Sequence, residues 1–441
     1  IRRNKVYRTG GNIYGHPNSI TGPLILGRIL EDAGHEVEDY EEYNAKVDMV
    51  KIKADIIMIY TMTSNATRAY EIADYFRKER HIRVIIGGIH ATCMPEEAAQ
   101  HADQVITGEG ESVIEDVVSG KIKDKIVHSK CIQNLDEIPF PDYTILRTPC
   151  SAANVMTSRG CPFRCAFCTT SRMFSPYRAR TPDNVIEELK MYKRLGFKYV
   201  NFEDDNFTAN KKRAKEILRK MIENKTVFRE TFFFGRTDMA TDPELLQLLS
   251  DAHLRRTLVG IESLNQKSLD TINKKQNISD IEKCGKVLSK YKIKLIASLV
   301  LGIDDDDKND IRRSVQFCRD INAYQLQPAI LTPYPGTPVY DQYVKEGRML
   351  GNDWEYFDMM VVNFKPKKMT PYELQEEFFH SLRTFYNFKS AFKMFKLYGW
   401  DAGMRRFGLW LAVVFGNLFF KKMSNTDNGN IYNKLKKLNK N

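Results

Sequence analysis

Gly160-Cys161-Pro162-Phe163-Arg164-Cys165-Ala166-Phe167-Cys168 is the stretch on which the reading of this chain turns. It follows a short apolar run at 154–157 and spaces three cysteines as CxxxCxxC. Three thiolates this close grip three irons of a [4Fe–4S] cluster and leave the fourth iron open, which suits a cluster that must bind another molecule. A four-cysteine zinc or ferredoxin site needs a fourth ligand in register, and neither Cys150 nor Cys284 continues the pattern. The alternative is three packed core cysteines, but packing gives no reason for them to cluster.

Downstream, residues 151–340 repeat strand, loop and helix. Strands are expected at 154–157, 198–202, 231–234, 257–261, 294–301 and 325–331, with helices at 183–195, 211–223, 243–252, 279–291 and 310–321. Six parallel units with right-handed crossovers predict a partial (β/α)6 barrel, whose active groups sit at the carboxyl ends of the strands. Those ends carry the informative residues. After the cysteines come Glu203-Asp204-Asp205, Arg236-Thr237-Asp238, Glu262-Ser263, Gly302, and the TPYPGTP segment with Tyr334. The acidic run at 304–307 lacks metal-loop spacing and reads as a solvated turn that starts a helix.

Upstream, residues 1–120 alternate short apolar strands (6–7, 37–40, 55–60, 83–86, 105–106) with helices at 23–33, 65–78 and 95–101. That order predicts an α/β, doubly wound, Rossmann-like sheet with ligands at the carboxyl ends of its strands. Pro139, Pro141 and Pro149 make 121–150 a linker. From 341 to 441 the pattern is helical, basic and aromatic.

The nonapeptide resembles the signature of the radical S-adenosylmethionine (SAM) superfamily. The resemblance implies a [4Fe–4S] cluster on Cys161, Cys165 and Cys168 that chelates and reduces SAM, a 5'-deoxyadenosyl radical that takes hydrogen from a substrate, and a low-potential donor such as ferredoxin or flavodoxin. It places Phe167 against the adenine and Glu203 and Asp204 near the SAM amino group, where a carboxylate is a natural ammonium partner. Arg236 would pair with the SAM carboxylate or a substrate anion. Glu262 and Ser263 would face the ribose or the substrate, and Gly302 would let backbone pass the adenine. Glu262 and Tyr334 are the catalytic candidates; a structural role for Tyr334 is the alternative.

AGHEVEDY, the Thr63-Ser64 turn after ADIIMIY, Gly87-Gly88 followed by IHATCMPEEA, and ADQVITGEGE are similar to the cobalamin-binding domain that precedes many radical SAM barrels. Thr63, Ser64, Gly87 and Gly88 are the residues that would meet cobalamin. No DxHxxG motif follows the first strand, so no histidine is placed as a lower cobalt ligand, and His16 reads as an ordinary loop residue. A cobalamin site and a sheet that only scaffolds the barrel both remain open here.

The chain has 441 residues, eight cysteines and a formal charge of +11. With three cysteines in one motif, no disulfide framework is implied, and a reducing cytoplasm is the expected compartment. The first residues, from Ile1, are polar and lack a signal-peptide core. From Lys365 onward 15 Lys and Arg stand against 5 Asp and Glu, so the surplus belongs to the tail and nucleic acid is not the favoured partner. In FKSAFKMFKLYGW aromatic residues alternate with lysines, and 407–420 is a 14-residue apolar run, short for a span that needs about 20. Residues 388–422 are therefore expected to lie peripherally on the inner membrane surface, with a helix packed in the core as the alternative.

The functional expectation is radical C-methylation or carbon–carbon chemistry at an unactivated carbon of an apolar substrate, of lipid, isoprenoid or tetrapyrrole type. A methylthiotransferase acting on tRNA or protein needs three more cysteines in the first domain, whereas only Cys93 and Cys131 occur in the first 140 residues and Cys150 lies in the linker with unsuitable spacing. A non-catalytic cobalamin or lipid sensor would not need the CxxxCxxC loop together with Glu203 and Arg236.

Overall fold

The computed structural model describes residues 16–422 together with Leu435 and Lys437, and of 416–422 the backbone alone. Its first sheet is parallel, in the order β1 (Ile56–Tyr60), β2 (Arg83–Gly87), β3 (Gln104–Thr107), β4 (Ile126–His128). In β2, Val84, Ile85 and Ile86 form a continuous buried apolar run because both its faces are covered, whereas Met58 of the edge strand β1 is exposed. Ile85 and Ile106 pack with Leu30 of α1 (Thr21–Asp32), while Val84, Ile86 and Val105 pack with Ala66, Tyr70 and Ala73 of α2 (Ala66–Asp74). Helices on both faces give the doubly wound arrangement that the alternation predicts.

One expected strand is missing and one lies outside the described residues. The segment 37–40 makes only an isolated bridge, Asp39 to Leu146, with Asp39 N–H donating to the Ile145 carbonyl at 2.9 Å. Its acids at 36, 38 and 39 leave it too polar to join a sheet buried on both faces. The strand expected at 6–7 is outside the described residues.

The second sheet holds six parallel strands in the order β12-β11-β10-β9-β8-β5. They are β5 (Ala152–Val155), β8 (Tyr199–Phe202), β9 (Glu230–Gly235), β10 (Arg256–Glu262), β11 (Lys294–Leu301) and β12 (Gln325–Ile330). The remaining two, β6 (Ser158–Arg159) and β7 (Arg178–Ala179), pair antiparallel and pinch off residues 160–177 as a closed excursion. The crossover helices are α3 (Pro182–Arg194), α4 (Lys211–Glu223), α5 (Pro243–Asp251), α6 (Ile278–Leu288) and α7 (Lys308–Asp320). Each starts on a side-chain oxygen that accepts a backbone N–H: Thr181, Asn210, Asp242, Asn277 and Asp307. Phe202, Phe233, Leu218 and Leu249 are fully buried between strands and helices. Among the described residues β5 and β12 remain unpaired with each other, so the barrel stays open.

Only part of the acidic run at 304–307 is solvated. Asp307 caps α7 as expected, but Asp306 is 2% exposed and accepts from Ser263 and Ser268, and Asp304 pairs with Arg348. Behind β12 lies α8 (Pro371–Phe385), followed by α9 (Phe388–Tyr398) and α10 (Trp400–Lys422). Leu374, Phe378 and Phe385 join the barrel core, and the Tyr386 hydroxyl donates to the Leu326 carbonyl at 2.8 Å.

Candidate active site

The excursion 160–177 leaves the carboxyl end of β5 and is braced on several sides. Gly160 stands at φ +79°, and a Cβ there would lie 2.3 Å from the Phe174 carbonyl oxygen, so only glycine turns the chain into the loop. Ala166 N–H donates to the Ile272 carbonyl, and Asn273 Nδ2 donates to the Arg164 carbonyl. The cysteines are unpaired, with Cys165 buried and Cys161 and Cys168 half-buried. Burial pushes the Cys161 thiol up, with Asp205, Cys168 and Cys165 adding to it. Among the described residues no three metal-binding side chains converge on one ion. A cluster is larger than an ion and gives each thiolate its own iron, so three free thiols on a braced loop fit it.

Around this loop the strand ends form linked pairs. Glu262 follows a bulge in β10, stands at φ +63°, and meets Lys274 Nζ at 2.5 Å, both side chains buried. The absent side chain of Gly260 leaves the room for this pair, since a Cβ there would collide with both charged ends. Burial raises the Cys165 thiol, while Lys274 and Arg236 pull it down. The guanidinium of Arg236 lies 3.6 Å from the centre of the Phe163 ring, inside the cysteine motif, and its Nη2 donates to the carbonyls of Lys274 and Lys275. Its buried Nε has no protein partner.

The three acids after β8 divide. Asp204 is fully buried and accepts from the Thr157 and Ser158 hydroxyls, which brace the chain just before the cysteines. Burial raises its carboxyl, against the bonds from those hydroxyls and the charge of Arg213. Asp205 and Glu203 line a cavity, and burial, then the charge of Asp204, pushes Asp205 up to about 7. Ser263 is turned inward, donating to Asp306 at 3.0 Å. Gly302 faces Leu374, whose Cδ2 would lie 2.5 Å from any Cβ, so close packing of α8 accounts for this glycine. Phe167 is half-buried against the barrel core. Tyr334 lines the cavity with its hydroxyl donating to the Phe357 carbonyl at 3.1 Å.

The facing wall comes from the first sheet. Ser64, Gly87 and Gly88 line the same cavity, whereas Thr63 is buried with its hydroxyl 3.4 Å from His90 Nδ1. Gly88 has φ +100°, and a Cβ would lie 2.6 Å from the Thr61 carbonyl oxygen. Two threonines tie this turn together. Thr61 Oγ1 donates to the Gly87 carbonyl, and Thr92 Oγ1 donates to the Gly88 carbonyl while accepting from Gly108 N–H. Tyr60, at the end of β1, lines the cavity as Glu203 does, and burial, then the charges of Glu203 and Glu41, push its hydroxyl up to about 12. His16 stacks on Tyr199 at the opposite, amino end of β8, with ring centres 3.6 Å apart.

An ionic seam fastens the two walls. Glu109 pairs with Arg178 through both oxygens, accepts from Ile132 N–H at 2.8 Å, and lies 3.4 Å from Arg159; Glu111 also takes Arg159. Burial raises the Glu109 carboxyl, but Arg178 and Arg159 outweigh it and hold it below the usual carboxylate range. The cavity between the walls measures about 3640 Å³, beyond the roughly 300–1,000 Å³ of an ordinary small-molecule pocket. Met62, Met156, Met173, Phe174, Met359 and Met360 make much of it apolar. Its size and its glycine turn at the carboxyl ends of β2 and β3 fit a corrin between the sheets.

Lys274, Arg178, Thr61 and Thr92 were not singled out from sequence. A lysine in NKKQN reads as solvated, and only the unoccupied space at Gly260 marks its partner.

Comparison with known proteins agrees with this architecture. Residues 155–318 match the Radical SAM superfamily, and residues 15–118 match the B12 binding domain family. The chain is 30% identical over 395 residues to the bacteriochlorophyllide d C-8(2)-methyltransferase of Chlorobaculum tepidum, covering 84% of each. It is 30% identical over 224 residues to the hopanoid C-2 methylase of Rhodopseudomonas palustris, covering 49% of this chain and 42% of that enzyme. Among solved structures, the cobalamin-dependent SAM radical enzyme OxsB superposes with a TM-score of 0.66 at 16% identity, over 90% of this chain and 70% of that one. That likeness is one of fold.

Proposed function

Because the chain belongs to the radical SAM superfamily and carries a B12 binding domain, we propose that it C-methylates an unactivated carbon of an apolar, ring-built substrate of the tetrapyrrole or isoprenoid kind. It is an enzyme of the cobalamin-dependent radical SAM methyltransferase family, and its cofactors are a [4Fe–4S] cluster, SAM and cobalamin. When bound, the cluster and SAM supply a hydrogen-abstracting radical and cobalamin supplies the methyl group.

The observation that carries the reading is that Glu203 and Asp205 of the barrel and Ser64, Gly87 and Gly88 of the first sheet face one cavity with largely apolar walls. Cys161, Cys165 and Cys168 hold the cluster. Glu203 receives the SAM ammonium, and the Arg236 guanidinium, already fixed by Phe163, orients the carboxylate end. Glu262 and Lys274 stay paired and keep that pocket polar but dry. Gly87, Gly88 and Ser64 form the cobalamin side. The methionines admit a flat apolar substrate between the cofactors because their side chains adapt to irregular shapes. The names of the two methylating relatives, one acting on a bacteriochlorophyllide and one on a hopanoid, support the substrate class.

The test is anaerobic incubation of the reconstituted enzyme with SAM, a flavodoxin-type reductant and either a bacteriochlorophyllide or a hopanoid. A product heavier by one CH2, formed together with 5'-deoxyadenosine and S-adenosylhomocysteine, is expected. SAM cleavage that yields only ring closure or desaturation would overturn methylation.

A further inference from the structure

We propose that the α9–α10 hairpin is a docking surface for an anionic phospholipid bilayer. The two helices fold back on each other through Gly399, with Phe388 packing on Phe407 and Trp410, and Phe395 on Trp400. One side of the hairpin belongs to the barrel. Arg406 is buried, donates to the Ala323 carbonyl and lies over Phe385, while Leu409 and Val413 pack on the core. The other side is apolar and open. Trp400 is 73% exposed, Phe415 61%, and Phe388 and Phe392 59% each, and Leu397, Met404 and Val414 are exposed as well.

Charge names the occupant. Lys389, Lys393 and Lys396 are exposed on the same helix as Phe388 and Phe392, and over 388–422 the sequence has seven cations, of which Arg406 is buried, against the single acid Asp401. On α9 the ring positions 388 and 392 and the lysine positions 389, 393 and 396 occupy adjoining arcs, with Ala391 and Met394 buried behind them. A second copy of this surface would bring like charges together, whereas an anionic headgroup layer takes the lysines while the rings enter the acyl boundary. Among the described residues no helix is long and apolar enough to cross a membrane, so the hairpin lies in the interface. The cavity reaches this element, since Leu409, Ala412, Val413 and Phe415 line it, and a bilayer-borne substrate would meet the enzyme there.

The surface stands independently of the methylation reading. The reconstituted full chain is sedimented with vesicles of phosphatidylcholine alone or mixed with phosphatidylglycerol. Binding to the anionic vesicles that weakens with salt is expected. Lys389→Gln/Lys393→Gln/Lys396→Gln should lower the partition about fivefold per lysine. Phe388→Ser/Phe392→Ser/Trp400→Ser should lower it at least about tenfold. The lysine variant should keep the wild-type melting temperature, and both variants the wild-type rate of SAM cleavage, which separates failure of docking from failure of the chemistry. Equal binding to neutral vesicles, or undiminished binding by the ring variant, would overturn the proposal. So would a dimer in sedimentation equilibrium that the ring variant dissolves.

Discussion

At the barrel's strand ends around the cysteine loop, charged groups are held by side chains from other segments, as Glu262 is by Lys274, Arg236 by Phe163, and Asp204 by Thr157 and Ser158. On the facing side the wall is backbone and hydroxyl, with Gly87 and Gly88 tied by Thr61 and Thr92. The contrast suits the two kinds of cofactor. SAM is a small zwitterion that needs fixed charges in a dry pocket. A corrin is a broad ring that needs backbone drawn out of its way. A change on the barrel side therefore strands a partner, while a change on the other side matters where it adds bulk.

The largest expected loss in stability is on the barrel side. Lys274→Met leaves Glu262 buried without its cation and should destabilise the protein by about 3–5 kcal/mol. The double variant Lys274→Met/Glu262→Gln should recover most of that in thermal unfolding, and a neutral single variant would mean that the pair is open to water. On the facing wall, Gly88→Ala places a Cβ against the Thr61 backbone at positive φ, for a cost of about 2–4 kcal/mol. Corrinoid retention should fall while iron stays, and loss of both would merge the two walls into one unit.

A smaller effect depends on pH. Burial holds the Asp306 carboxyl up, at about 6 against an ordinary 3.8, although Ser268 and Ser263 donate to it. The folded state binds this proton more tightly than the unfolded chain does. The resulting stability is full below pH about 4 and is lost as pH rises to about 6, by up to about 3 kcal/mol. Asp306→Asn should remove that slope when the melting temperatures of both proteins are followed from pH 4 to 7, and parallel curves would place Asp306 in contact with solvent. Least of all, Phe163→Leu removes the ring over Arg236 and should cost about 1 kcal/mol, with iron retained. Loss of iron in that variant would make Phe163 part of the cluster's hold and not only of the arginine's.

The same contrast governs what the sequence disclosed. The cysteine spacing, the six barrel strands and the acids at their ends were legible because each is set by local periodicity or by a few adjacent residues. Partners far apart in the chain were not. Glu109 and Arg178 are 69 residues apart, and each alone reads as a surface charge. Consecutive acids 203–205 were legible as a cluster, but their division between cavity and interior depends on how the chain turns out of β8. Ser263 and Thr63 show the same limit: their hydroxyls answer to Asp306 and His90, which no spacing rule connects to them. The tail was legible as a basic aromatic helix, and the structure adds which face the barrel keeps.

The central claim is that the two walls hold two cofactors separately, with the three thiols carrying the iron. Iron and corrinoid analysis of anaerobically purified wild type and of Cys161→Ala/Cys165→Ala/Cys168→Ala tests it most directly. The wild type should hold about four irons and one cobalt per chain, and the variant should lose its iron and all 5'-deoxyadenosine formation while keeping its cobalt. Iron that survives the loss of all three thiols, or continued cleavage of SAM without them, would contradict the account.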